Sequence, residues 1–302
     1  MEIISGTKQF KYNNTAITLG KFDAFHKGHM CLVRQVADSK KEGMIPVLFT
    51  FDISPYELVA DNNIKYVISR QEKYEICEKS GIDVMIEYPF DSETMNMDAE
   101  KFVERILIGQ LGAARIIVGK DFHFGKDRKG DVELLKKYKG VFEVIAVDKM
   151  CEKGEVISSS AIRQAIADGN IEKANVMLGH ELSYSGKIIH GKQLGRKIGA
   201  PTINIKVEEN RIFPPYGVYG SAVSIDGRTY RGITNIGLNP TVSSDNNIKV
   251  ETHLIDENVQ VYGECAKVNL KTFVRHERKF GDVEELKKQI MADIEKVKAM
   301  KM

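Results

Sequence analysis

Short apolar runs alternate with amphipathic stretches from residue 15 to about residue 178. Such runs fit strands buried on both faces of a parallel sheet, and the stretches between them fit helices that cover it. The pattern predicts strands at 15–20, 45–51, 83–88, 115–118 and 142–147, with helices at 30–41, 70–80, 99–111 and 132–138. Past Gly179 the helical period fades. Strand-like runs at 186–189, 217–225, 229–236, 249–255 and 266–273 are separated by turns rich in Gly, Pro and Asn, which fits a β-barrel or a sandwich. A charged helix is predicted at 283–298, where Leu286, Ile290, Ile294 and Val297 share one face and read as core packing. The chain shows no repeat and no low-complexity linker. The expected organisation is therefore an α/β, Rossmann-like domain over 1–180, followed over 181–302 by a second domain, an antiparallel β-barrel or a sandwich, with a C-terminal helix.

Composition changes this picture little. A chain of 302 residues, 42% hydrophobic, suffices for two ordinary cores. The 44 Lys and Arg against 42 Asp and Glu leave a net charge of +2, which gives no reason to expect a nucleic-acid or membrane partner and leaves small charged substrates open. Cys31, Cys77, Cys151 and Cys265 are scattered, and no long apolar run opens the chain, so a reducing cytoplasm is expected and the thiols read as idle. Oligomeric state is not legible here.

Three segments of the first half carry chemistry. Gly20-Lys21-Phe22-Asp23-Ala24-Phe25-His26-Lys27-Gly28-His29 follows the first predicted strand and leads into a predicted helix. The first amides of a helix have no partner within it and favour an anion, and a phosphate is the natural ligand. Gly20 and Gly28 let backbone approach phosphates, and His26 and His29 can donate to charge building up on phosphorus. A zinc or structural histidine pair is the competing reading, although two histidines do not close a zinc site and neither Cys31 nor Cys77 adds a ligand spacing. The run Val118-Gly119-Lys120-Asp121-Phe122-His123-Phe124-Gly125 ends another predicted strand, where a nucleotide would lie, and equally fits a plain turn. In Ile157-Ser158-Ser159-Ser160-Ala161-Ile162-Arg163 the serines can cap a helix, while hydroxyls, amides and Arg163 reach one anion.

In this order the segments resemble the HxGH nucleotidyltransferase superfamily, most closely the adenylyltransferase module of bacterial bifunctional riboflavin kinase/FMN adenylyltransferases, also called FAD synthetases. The second half carries the kinase signature of that family. Gly191-Lys192-Gln193-Leu194-Gly195-Arg196-Lys197-Ile198-Gly199-Ala200-Pro201-Thr202-Ile203-Asn204 resembles its glycine-rich stretch running into Pro-Thr-x-Asn. Pro215-Tyr216-Gly217-Val218-Tyr219, Asn235-Ile236-Gly237-Leu238-Asn239-Pro240-Thr241, Val250-Glu251-Thr252-His253 and Arg275-His276-Glu277-Arg278-Lys279-Phe280 match as well. Ala24 and Phe25 stand where the family commonly has Gly and a smaller aliphatic residue, Ser160 where it has Thr, and His123 where it has Arg. Ala24 adds a β-carbon in a turn for which positive φ is expected.

The resemblance implies two ATP-dependent steps, riboflavin to FMN and FMN to FAD with release of pyrophosphate. For the first it implies Glu251 as the base, Thr202 and Asn204 as magnesium and phosphate ligands, and Gly191, Lys192, Gly195 and Gly199 as a loop over the phosphates. Alternation puts Thr202 and Asn204 on one face of an extended segment. For the second it implies Gly20, Phe22, Asp23, Gly28, Asp121, Ser159, Ser160 and Arg163 around the nucleotide, His26 and His29 at the α-phosphorus, and Mg²⁺ bridging phosphates. A runner-up reading keeps the kinase and makes the adenylyltransferase weak or inactive.

Overall fold

In the first half, each apolar run becomes one strand of a six-stranded parallel sheet. The computed structural model describes residues 1–53, 65–189, 201–238, 248–257, 261 and 263–300. In chain order the sheet strands are β1 (Glu2–Ser5), β2 (Thr15–Leu19), β3 (Ile45–Phe51), β4 (Val84–Tyr88), β5 (Ala113–Gly119) and β6 (Glu143–Val147). They lie side by side as β1-β4-β3-β2-β5-β6, every neighbouring pair parallel. Parallel neighbours need crossovers. These are α1 (Lys27–Asp38), α2 (Arg70–Lys79), the short α3 (Ser92–Met95) and α4 (Ala99–Phe102), which runs into a π-helical segment, Val103–Gln110, and α5 (Val132–Lys136). All residues of β2 and β4 are buried, so their sequences are mostly apolar on both faces, with Thr15, Thr18 and Glu87 as buried polar exceptions. The 99–111 helix is thus present, with its second part wound more widely than an α-helix.

The sheet order has a switch point. From β2 the chain winds outward through β3 to β4, then returns to place β5 on the other side of β2. The carboxyl ends of β2 and β5 therefore border the crevice where ligands bind in such sheets.

After a two-stranded hairpin, β7 (Cys151–Glu152) and β8 (Glu155–Val156), come α6 (Ser159–Ala167) and α7 (Ile171–Leu178). The strands that follow are β9 (Ser183–Ile189), β10 (Thr202–Ile205), β11 (Gly217–Ile225), β12 (Arg228–Leu238), β13 (Ile248–Leu254) and β14 (Cys265–His276), ahead of α8 (Val283–Lys298). They close in the order β10-β13-β12-β11-β14-β9, so of the two architectures open from the sequence it is the barrel that forms. Val297 and Ile294 of α8 pack with Val218, Ile233, Ile255 and Val274, with Ile290 at the margin, and the Arg275 Nε donates to the buried Asp293 carboxylate at 2.8 Å.

Contacts divide the chain into two units. One runs to Ser158 apart from Lys65–Ile68; the other holds Lys65–Ile68 and everything from Ser159 onward. The helices before the expected 180/181 boundary group with the barrel because Asn175 on α7 donates to the Leu270 carbonyl of β14 at 2.8 Å and accepts the Leu182 amide at 2.7 Å. Lys65–Ile68 group there because Tyr66 exchanges backbone hydrogen bonds with Asn210 (2.7 Å) and Ile212 (2.9 Å), while the buried Arg211 donates to Val67 and Ser183 carbonyls.

Candidate active sites

In the first unit, the turn after β2 delivers His26 as the N-cap of α1. The backbone N–H of His29 donates to His26 Nδ1 at 3.2 Å, and the two rings stack with centroids 3.7 Å apart and 12° between planes. The lone pair of His26 Nδ1 is used by that amide, so the single proton of the neutral ring sits on Nε2. Gly28 makes this possible, since a β-carbon there would stand 3.2 Å from the His26 ring. Its role is to leave room for imidazole. Gly20 likewise leaves room for the Phe22 ring, 3.2 Å from where its β-carbon would be.

The His29 ring packs against aromatic carbon. Phe22 and Phe25 are fully buried, and their centroids lie 5.1 and 6.4 Å from that of His29. Positive φ falls on these two residues, 49° at Phe22 and 42° at Phe25, while Ala24 does not adopt it. The expected penalty on the Ala24 β-carbon is therefore absent, and the strain sits on the phenylalanines, where it persists because buried packing over-determines it. Burial pushes His26 down to about 4, against its hydrogen bonding and the nearby Asp23. Burial also holds His29 well below the ordinary imidazole value, helped by His26 and Lys73. Both rings are neutral at pH 7, so each has one N–H to donate. The His29 Nδ1 is buried without a hydrogen-bond partner. No group of three His, Cys, Asp or Glu able to hold a metal occurs among the described residues, and one nitrogen of the pair is already engaged.

Asp121 stands just past β5, at the other lip of the crevice. Burial works to raise its carboxyl, but the Lys149 ammonium at 2.9 Å prevails and holds it below its usual value. Phe124 of the same run is anchored in the core, and Gly125 (φ 71°) passes so close to Ala99 that a β-carbon would meet its Cα at 2.7 Å. His123 is exposed, with its Nδ1 3.0 Å from the Phe122 carbonyl, and it helps to lower the Asp121 carboxyl. Ser159, Ser160 and Arg163 lie on α6, in the unit with the barrel, while both histidines lie in the other unit.

In the barrel, β10 and β13 bring the second constellation together. Asn204 faces Glu251 across the ladder and Thr202 faces His253. The Thr202 hydroxyl donates to Glu251 Oε1 at 2.6 Å, the Lys249 ammonium holds Oε2 at 2.6 Å, and His253 Nδ1 donates to the Pro201 carbonyl at 2.8 Å. Asn204 Oδ1 is buried with no partner, a hard oxygen left unsatisfied beside a hydroxyl and a carboxylate. This donor set fits a magnesium ion, which prefers oxygen ligands. Gly191, Lys192, Gly195 and Gly199, and with them most of the glycine-rich motif, lie outside the described residues, as do Asn239 to Thr241.

Sequence reasoning passed over three side chains at these sites. Lys249 and His253 stand two residues either side of Glu251, so the two-residue period of a strand was a usable signal for both. Lys73 on α2 is separated by more than forty positions from the histidine loop that it reaches, and no local pattern points to it.

Comparison with known proteins extends over the whole chain. The family model for FAD synthetase matches residues 8–161, and that for riboflavin kinase matches residues 178–301. The chain is 34% identical over 290 residues to the bifunctional riboflavin kinase/FMN adenylyltransferase of Listeria monocytogenes, covering 95% of this chain and 92% of that one. The chain belongs to the bifunctional riboflavin kinase/FMN adenylyltransferase family. Members so named from Escherichia coli (34% identity, 97% of this chain and 96% of that one) and Buchnera aphidicola (36%, 99% and 98%) match over the same span. A solved structure from Streptococcus pneumoniae, described as a macrolide-efflux protein, superposes with a TM-score of 0.89 at 30% identity, covering 99% of both chains. No helix among the described residues of this family member is long and apolar enough to cross a membrane.

Proposed function

We propose that this chain makes FMN and then FAD, one reaction in each half, with residues 181–302 as the riboflavin kinase and 1–180 as the FMN adenylyltransferase. The observation that carries this reading is the match of both families, end to end, to one chain. Nothing in it favours an inactive adenylyltransferase. The substrates are small molecules, ATP and flavins, and the cytoplasm is the compartment we assign.

In the kinase half, Glu251 takes the proton from the terminal ribityl hydroxyl of riboflavin. That oxygen forms a bond to the γ-phosphorus of ATP as the bond to the β-phosphate oxygen breaks, and ADP leaves. Thr202 and Lys249 fix the two carboxylate oxygens before substrate arrives, so little reorganisation is needed. Thr202 and Asn204 would hold Mg²⁺, which supplies charge neutralisation on the phosphates. We assign Gly191, Lys192, Gly195 and Gly199 to the loop over those phosphates.

In the adenylyltransferase half, a phosphate oxygen of FMN attacks the α-phosphorus of a second ATP, the bond to the β-phosphate breaks, and pyrophosphate leaves. The nucleophile is already an anion, so no strong base is needed and catalysis rests on alignment and charge stabilisation. Two neutral imidazoles suit this, because each donates a hydrogen bond without offering a proton that the phosphate would take. We assign Gly20, Phe22, Asp23, Gly28 and Asp121 to the nucleotide, and Ser159, Ser160 and Arg163 to its triphosphate.

The test is direct. Purified protein is incubated with Mg²⁺ and ATP, once with riboflavin and once with FMN, and the flavins are separated. FMN and FAD from riboflavin, and FAD from FMN, are expected. Absence of both products overturns the reading, and FMN without FAD reinstates a kinase with an inactive first half.

A further inference from the structure

The mechanism above does not use Lys73, a half-buried cation of the first unit. Lys73 lies in the first turn of α2, whose start is fixed by Ser69 and Glu72, each side chain binding the other's backbone amide. Its ammonium reaches across to the Lys21 carbonyl at 3.4 Å, which also receives the Thr50 hydroxyl from β3 at 3.4 Å. The residue after Lys21 is Phe22, held at φ 49°, and the Phe22 ring stands edge-on to His29 with centroids 5.1 Å apart. A strained residue keeps its conformation only while its neighbours are fixed. Lys73 and Thr50 fix the carbonyl immediately before it.

Charge tells the same story. Burial lowers the Lys73 amine from its ordinary value, opposed by the Glu87 and Asp23 carboxylates. Glu87 on β4 is itself buried, and Arg70 and the Tyr74 hydroxyl of α2 both bind it, so it is shared and does not neutralise Lys73 alone. Lys73 in turn acts on His29, which otherwise faces His26 from the start of α1 and Phe22 and Phe25 from the loop. Asp23, the nearest carboxylate of the loop, acts on His26.

We propose that Lys73 is the positioning residue of the histidine pair: from α2 it holds the Lys21 carbonyl that sets Phe22 against His29, and it puts a positive charge beside that ring. The ammonium acts through the loop and does not touch the reacting phosphates. The inference rests on the adenylyltransferase reading for its catalytic consequence, and on geometry alone for its effect on His29.

Two measurements test it on the full chain. The first follows the ¹⁵N shifts of the His29 imidazole from about pH 7 downward, through and below the range in which a free imidazole titrates, because His29 is held well below that range. Lys73→Met should raise the His29 titration by about one pH unit, the size of effect expected on losing a nearby like charge. Lys73→Arg should leave it in place. Thr50→Val, which removes the Thr50 donor to the Lys21 carbonyl and no charge, should leave it in place too. The second measurement is turnover. Lys73→Met should lower kcat for FAD formation from FMN by about tenfold with KM for FMN unchanged, as expected when transition-state alignment is lost. Lys73→Arg should restore most of it, and FMN formation from riboflavin should not change. Where Lys73→Met does not fold, Lys73→Gln takes its place in both. An unmoved His29 titration in the folded variant overturns the proposal, as does an equal loss of kinase activity or a failure of arginine to rescue. If the wild-type chain makes no FAD, the functional reading fails, while the titration still decides whether Lys73 governs His29.

Discussion

The two candidate sites handle phosphate chemistry with opposite electrostatics. At the barrel site a carboxylate stays partly open to solvent, with Thr202 and Lys249 each 2.6 Å from one of its oxygens. At the sheet site two stacked imidazoles, His29 flanked by phenylalanine, are kept neutral by burial. The difference follows from the nucleophiles. An alcohol must lose a proton as it attacks, so the first site needs a base with a fixed geometry. A phosphate monoester has already lost its proton, so the second site needs donors that stabilise charge and remain donors across physiological pH. Burial disfavours the charged imidazole and supplies that state without any added residue.

The comparison predicts that each site can be broken alone. Replacing Glu251 by Ala should lower FMN formation from riboflavin by about 10²- to 10⁴-fold, the contribution of a positioned base, and leave FAD formation from supplied FMN intact. His29→Ala should do the reverse, costing about 10²- to 10³-fold in FAD formation, the scale for one preorganised donor. Equal loss of both activities in either variant would contradict two separate sites.

Smaller perturbations sharpen the contrast. Asn204→Ala should weaken Mg²⁺ binding to the ADP-loaded protein by about tenfold, measured by calorimetry, because a buried oxygen that now lacks a partner is the one removed. Titration separates the sites by stability. Folding holds His26 near 4 against an ordinary 6.5, so between these values the unfolded chain binds a proton that the native chain does not. Stability is therefore full above about 6.5 and falls as pH drops towards 4, by about 2–3 kcal/mol for this group. Urea unfolding at a series of pH values should show this slope, and His26→Gln should reduce it, leaving the part that His29 contributes. The smallest effect expected is that of Gly28→Ala, whose methyl carbon would press on the His26 ring at 3.2 Å. It should reduce FAD formation less than about tenfold, through displacement of one donor, and spare FMN formation.

Much of this was legible in the chain. Strand 45–51 and helix 283–298 are found with their predicted bounds, as is strand 217–225, because the strands are long apolar runs and the helix is strongly amphipathic. β1 escaped notice: four residues with three exposed side chains form an edge strand that exists through pairing with β4. α7 carried readable signals in the Asn170 cap and the Gly179 terminus at φ 77°, yet its alternation of apolar positions merged with the fading pattern of the first half. The histidine motif was readable as an anion site through its place between strand and helix. That its imidazoles are neutral was not, since desolvation comes from Phe22 and Phe25 adopting strained backbone and folding over His29.

The classes of structure and the residue types of both sites are written along the chain, because periodicity and short-range motifs depend on sequence neighbours. Closure of the barrel, which sets Asn204 opposite Glu251, was decided by the tertiary structure. So were the grouping of α6 and α7 with the barrel, the transfer of strain from Ala24 to the phenylalanines, and the approach of Lys73 to the histidine loop. Each depends on pairings between distant segments and on the water they exclude, and no local pattern encodes how far a charge or a carbonyl will be from groups that only folding brings near.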